Sequence, residues 1–240
     1  MTVLSVNVNK FALLRNSRGQ NTPDVLSIAK RCIDAGVIGI TVHPRPDGRH
    51  IRTEDVAQLS RYLHSAQKEF NIEGYPSEAF IDMVLAHKPT QVTLVPDPPE
   101  ALTSSFGWDI AQHQPFLTQV IARFKQAGIR TAIFADPTYS DWMPLCSIQT
   151  DRVELFTHFY AHHCSEGREK AIEPFIKAAQ AITQLGIELN AGHDLNALNL
   201  PYFVEQIPQI REVSIGHALV CDALDFGLEK TLQRYLAVLS

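Results

Sequence analysis

The stretch "TPDVLSIAKRCIDAGVIGITVHPRPDGRHI", Thr22 to Ile51, holds one helix, one strand and the turn that follows them. Thr22 and Pro23 read as an N-cap and a proline at the first helical position, where a missing N–H breaks no helical hydrogen bond. Ala35-Gly36 ends the helix, and "VIGITVH" (37–43) is a β-branched run of strand character. The strand then enters a turn stiffened by Pro44, Pro46 and Gly48, which carries His43, Arg45, Arg49 and His50. Two imidazoles and two guanidiniums thus crowd the exit of one hydrophobic strand.

The same alternation repeats along the chain. Strands are predicted at 3–8, 37–43, 70–75, 91–96, 129–135, 151–157, 187–192 and 211–216. Between them lie helical patterns. Phe116, Leu117, Val120, Ile121 and Phe124 share one face before Gly128, and Ile172, Phe175, Ile176, Ala179 and Ile182 share another before Gly186. Pro174 within the second pattern predicts a helix start or kink nearby. The last helix is expected from about Ala218 to Leu239, and the long loop from Pro96 to Gln114 has room for an extra element or a lid. Eight strand–helix units in 240 residues predict a single α/β domain over 1–240, a (β/α)8 TIM barrel with additional short helices. An open doubly wound sheet is the main competitor, but no glycine-rich dinucleotide fingerprint follows the first strand.

Composition narrows the function classes. A net charge of -5 argues against a general nucleic-acid binder, and 45% hydrophobic residues suit a globular core. No apolar run approaches the ~18 residues of a membrane span, and "MTVLSVNVNK" has the character of a strand rather than a signal peptide. Cys32, Cys146, Cys164 and Cys221 show no CxxC spacing, so reduced thiols in a cytoplasmic protein are expected.

Active sites of such barrels lie at the C-terminal ends of the strands. That rim is predicted to receive Asn7, Asn9, Lys10, Arg15 and Arg18 after the first strand and His43, Arg45, Arg49 and His50 after the second. Glu73 sits on the third strand and Thr103 in the loop after the fourth. Asn190 and His193 end the seventh, and Gly216-His217 end the eighth. Each alone has an ordinary explanation, a strand-end histidine or a solvated arginine. Glu73 is harder to dismiss, because a barrel strand seldom buries a carboxylate without a partner. Gly216-His217 joins the last strand directly to a helix, whose first N–H groups can face a phosphate, and "NAGHD" supplies a second glycine turn beside it. "THFYAHHCSEG", with His158, His162, His163 and Cys164, lacks the glutamate of HExxH and any CxxC pair. It reads as a histidine-rich loop that can cover the rim, and no metal is expected.

"VNVNKFALLRNSRG" (6–19), "GITVHPRPDGRHI" (39–51), "NIEGYPSE" (71–78), "TLVPDPPEALTS" (93–104), "NAGHDLN" (190–196) and "EVSIGHAL" (212–219) together resemble the pyridoxine 5'-phosphate synthase family. The resemblance runs in order over nearly the whole chain. It implies condensation of 1-deoxy-D-xylulose 5-phosphate with 3-amino-2-oxopropyl phosphate, without metal or organic cofactor, by a homo-octamer. It also implies proton acceptors at His43 and Glu73 and a proton donor at His193. Asn7, Arg18, Asp194, Gly216 and His217 would contact the amino-ketone phosphate; Asn9, Lys10, Arg45, His50 and Thr103 would contact the sugar phosphate.

Three departures stand out. Many members carry Asp-His where this chain has Asn9-Lys10, so proton shuttling there is weakened while anion binding is kept. Asp194 stands where glycine often follows the histidine, and its side chain is expected to turn from the phosphate. "SSFGWD" (104–109) is less glycine-rich than its counterparts. Two rival readings follow from these residues: an aldolase forming a Schiff base at Lys10, and a sugar-phosphate binder without catalysis.

Overall fold

Period-two alternation in the strands separates two kinds of residue, and the computed structural model shows where each goes. It describes residues 1–97, 101 and 104–239. Eight strands close into a barrel in sequence order: β1 (Val3–Asn7), β2 (Gly39–Val42), β3 (Glu69–Gly74), β4 (Gln91–Leu94), β5 (Arg130–Ala135), β6 (Arg152–Leu155), β7 (Glu188–His193) and β8 (Ile210–Ile215). All neighbours are parallel, and β8 pairs back onto β1 through Val3↔Glu212 and Val6↔Ile215. This is the predicted (β/α)8 barrel, with each strand within three residues of its expected ends.

The helices among the described residues are α1 (Asn9–Asn16), α2 (Val25–Asp34), α3 (Thr53–Ser65), α4 (Glu78–His87), α5 (Ile110–Gln126), α6 (Leu145–Ile148), α7 (His158–Gln184), α8 (Leu200–Gln206), α9 (His217–Phe226) and α10 (Leu228–Val238). Additional short helices were expected without a position, and α1 and the four-residue α6 are two of them. Outward strand residues such as Leu4, Val6, Ile40, Val42, Ile72, Ile133 and Val213 pack under these helices in one apolar core.

The barrel interior is polar. Ser5 and Thr41 are bonded at 2.7 Å, and Thr93 donates to Asn71 at 3.1 Å. Below them Gln91 reaches across to Glu212 at 3.4 Å, while Arg152 pairs with Glu188 at 2.9 Å and Arg130 with Glu69. This floor closes the N-terminal end, so the open space lies at the other rim.

Several helix boundaries differ from expectation for local reasons. α2 starts at Val25, because Asp24 rather than Thr22 caps it, its Oδ2 accepting the Ser27 N–H at 2.9 Å. α5 takes in residues 110–114 of the expected loop, because Asp109 accepts the Gln112 N–H at 3.1 Å and starts the helix ahead of Pro115. The break expected near Pro174 lies at Gly167, so Pro174 falls early in the helix that restarts there. The last helix is two, divided at Gly227, whose φ of 81° favours glycine. The histidine-rich segment is the opening of α7 rather than a loop.

Candidate active site

The ends of β1 and β2 are tied together by asparagines. The Asn7 Oδ1 accepts the Asn9 N–H at 3.1 Å, and the Asn9 Oδ1 accepts the His43 N–H at 2.9 Å. The turn after β2 is then clamped from α1. Arg15 bonds both oxygens of Asp55, at 2.5 and 2.8 Å, and the His50 carbonyl at 3.0 Å; Asn16 donates to the carbonyls of Arg49 and His50. Arg15, expected on the reactive rim, is 1% exposed and spends its donors on this clamp. His50 gains a defined tautomer from it. Its Nδ1 accepts the Ile51 N–H at 2.9 Å, so its proton sits on Nε2. Burial, then the charges of Arg45, Lys10 and Arg49, lower its pKa to about 4, leaving a neutral donor at pH 7.

Arg45 is buried and held by Asp97 at 2.7 Å, and the same Asp97 oxygen accepts from Ser104 Oγ at 2.7 Å. Arg49, unassigned from the sequence, pairs with Asp47 at 2.7 Å and donates to the Ala101 carbonyl at 3.0 Å. It joins the turn after β2 to the loop after β4.

Glu73 and His43, at the ends of the neighbouring strands β3 and β2, approach Oε2 to Nδ1 at 3.8 Å, and Asn7 Nδ2 donates to the same Glu73 oxygen at 3.4 Å. Burial lowers the pKa of His43 well below the usual imidazole range, helped by Arg45, His50 and Arg49. Burial raises Glu73 well above the carboxylate range, helped by Glu154, Glu212 and Asp97 and opposed by Arg45. Glu154, on β6, is itself buried and raised to about 8 by burial and Glu212. Its Oε2 has no hydrogen-bond partner among the described residues. A neutral imidazole and a carboxylate of high proton affinity therefore stand side by side.

His193 reaches this group through its backbone. By alternation it follows inward-facing Gly192 and would point out of the barrel, but its φ of 60° lies in the left-handed region. A Cβ on Gly192 would meet the Ser214 carbonyl at 2.6 Å and Glu154 Oε1 at 3.0 Å, so only glycine fits beneath it. The imidazole lies edge-on to Phe156 at 5.2 Å and 6.5 Å from Phe134. The Asp194 carboxylate, expected to turn from the phosphate, is held by both histidines, with Oδ2 2.8 Å from His158 Nδ1 and 3.0 Å from His193 Nδ1. Burial would raise its carboxyl, but the hydrogen bonds and charges of His193 and His158 outweigh this and hold it at about 2. Gly216 caps α9 without a side chain, close enough to Asn7 that an added Cβ would lie 3.1 Å from Asn7 Cβ. The first N–H groups of α9 are left for an anion.

These groups border one cavity of about 640 Å³. Of the expected site residues, Asn7, Asn9, Lys10, His43, Arg45, His50, Glu73, His193, Asp194, Gly216 and His217 line it. Arg18 lies in the exposed turn after α1, outside the lining, and Thr103 lies outside the described residues. Asn190 is buried deeper, 3.4 Å from Gln91. Sequence reasoning missed Glu154, Phe134, Phe156, Ser104 and Ser214, which also face the cavity.

The family model described as Pyridoxal phosphate biosynthesis protein PdxJ matches residues 4–240. The chain is 51% identical over 240 residues to the Pyridoxine 5'-phosphate synthase of Parabacteroides distasonis, covering all of both chains. It is 54% identical over 235 residues to that of Bacteroides fragilis, covering 98% of each. Among solved structures, it is similar to a tryptophan synthase complex from Pyrococcus furiosus, with a TM-score of 0.67 and 13% identity over 98% of each chain. It also matches phosphoribosylanthranilate isomerase from Thermotoga maritima, at a TM-score of 0.58 and 11% identity over 99% of this chain and 98% of that one. At those identities the likeness is one of fold.

Proposed function

The chain belongs to the PdxJ family of pyridoxal phosphate biosynthesis proteins, and from that premise we propose how its residues carry out pyridoxine 5'-phosphate synthesis. One observation carries the reading: His43, Glu73 and His193, from three strands, share a cavity that has separate anion-binding groups around it. The substrates are 1-deoxy-D-xylulose 5-phosphate and 3-amino-2-oxopropyl phosphate. The uncapped start of α9, with Asn7 and His217, takes the amino-ketone phosphate. Arg45 and the Nε2–H of His50 take the sugar phosphate, with Lys10 as a further cation. Anchoring both phosphates turns the encounter into an oriented one, and binding energy at those remote groups is used at the reacting carbons.

His193 donates a proton to the departing hydroxyl as the substrate amine and ketone form an imine. Neutral His43 and the high-affinity carboxylate of Glu73 then remove protons from carbon as water and phosphate leave and the ring closes. Asp194 orients the His193 ring. Because the amine belongs to the substrate, Lys10 serves as a cation and not as a nucleophile.

We include in this reading the homo-octameric assembly that the family resemblance implies. Four unpaired cysteines support a reducing, cytoplasmic setting. None of the helices in the described residues is long and apolar enough to cross a membrane. Mixing both phosphates with the purified protein is expected to yield pyridoxine 5'-phosphate and inorganic phosphate. Tight binding of both with no product would favour the non-catalytic reading instead.

A further inference from the structure

The histidines that open α7 carry no proton-transfer or phosphate-binding role in this reading, and His158 touches the catalytic group only through Asp194. His158 and His162 are four residues apart, so both project from one face of the helix, and their ring centroids are 4.1 Å apart. Asp194 arrives from the end of β7, 36 positions beyond His158, and brings Oδ2 to 2.8 Å from His158 Nδ1. One ligand atom from each of the three residues lies within 4.8 Å of the other two. We propose that His158, His162 and Asp194 form a binding site for a divalent transition-metal ion of the Zn2+ class at the cavity rim.

The donor set and the geometry both support this. Two imidazole nitrogens and one carboxylate oxygen suit Zn2+, Co2+ or Ni2+, whereas Mg2+ and Ca2+ prefer oxygen ligands throughout. Ligand bonds of ~2.0–2.1 Å in a tetrahedron put donors roughly 3.3 Å apart. His158 and His162 are exposed, so small side-chain rotations close the difference. Three protein ligands leave a coordination position open, as in catalytic rather than structural zinc sites. Both histidine contacts fall on Asp194 Oδ2, so ligation through Oδ1 leaves the contact with His193 in place. His163 is outside the group by position: one residue beyond His162, it projects from another side of α7 and its ring stacks on Phe159 at 4.4 Å. HxxxH alone was insufficient, because the third ligand is supplied only when the barrel brings the end of β7 beside α7.

The probe is Co2+ alone, titrated into untagged, chelator-stripped protein and followed by its visible d–d absorption. One Co2+ per chain is expected, with bands of low-coordinate intensity that Zn2+ abolishes. His162→Ala should weaken Co2+ binding by roughly tenfold or more, and His163→Ala should leave it unchanged. Absence of the bands, or equal effects of the two substitutions, would overturn the site. Synthase turnover is measured separately on the stripped protein, so failure of metal binding is distinguishable from failure of the catalytic reading.

Discussion

Glu73 is the residue on which the electrostatics of the rim converge. It is buried, 3.8 Å from His43, and surrounded by the charges of Glu154, Glu212 and Asp97 as well as Arg45. A group placed to take protons, with phosphates held elsewhere, should matter to turnover and little to affinity. Glu73→Gln is expected to lower kcat by about 10²–10⁴-fold while changing either phosphate's KM far less. Steady-state kinetics with each substrate varied in turn tests this, and matched losses in kcat and affinity would reassign Glu73 to binding. That Glu73, His43 and His193 would gather at one rim was legible in the sequence, because a barrel strand seldom buries a carboxylate alone and histidines recur at several strand ends. Glu154 was not. In "DRVELFT" (151–157) it alternates with Val153 and Leu155 as a solvent-facing residue would, and only barrel closure turns that face inward.

At the scale of elements, α1 works as a brace for the turn after β2. Arg15 is among the largest fully buried side chains of the described residues, and it joins α1 to the first turn of α3 through Asp55 and to the turn through the His50 carbonyl. Asp55 also accepts the Arg52 N–H at 2.8 Å, so one carboxylate both caps α3 and anchors Arg15. Arg15→Ala would leave that buried carboxylate without its cation. A loss of about 3–5 kcal/mol in unfolding free energy is expected from urea denaturation. A change below ~1 kcal/mol, the range of an exposed pair, would show that α1 does not brace the turn. The helix itself went unpredicted as a separate element, and Arg15 was placed on the reactive rim. Arg15 in "FALLRNSRG" (11–19) carries no sign of the partner 40 positions away that buries it.

Across the whole molecule, the barrel encloses polar groups and packs its apolar residues outside. That arrangement ties stability to pH. Glu154 rises from 4.5 to about 8 on burial beside Glu212, so the folded protein binds more protons than the unfolded chain between those values. Stability from this group is therefore full below about pH 4.5 and is lost as pH rises toward 8. Glu154→Gln removes the loss, and its Tm relative to the parent should increase from pH 5 to pH 9, by roughly 2–4 °C for each kcal/mol recovered. A difference independent of pH in thermal melts would mean that Glu154 does not titrate in this window. The sequence by itself determined the count and order of the strands, because apolar periodicity and turn signals are local. It also determined which strand ends carry reactive groups. Tertiary structure alone decided which groups meet. It turned His193 over the mouth with a left-handed backbone, drew Asp194 between two histidines, buried Arg15 and faced Glu154 toward Glu73. Those outcomes depend on through-space distance, burial and charge between strands remote in sequence, none of which is encoded within any one segment.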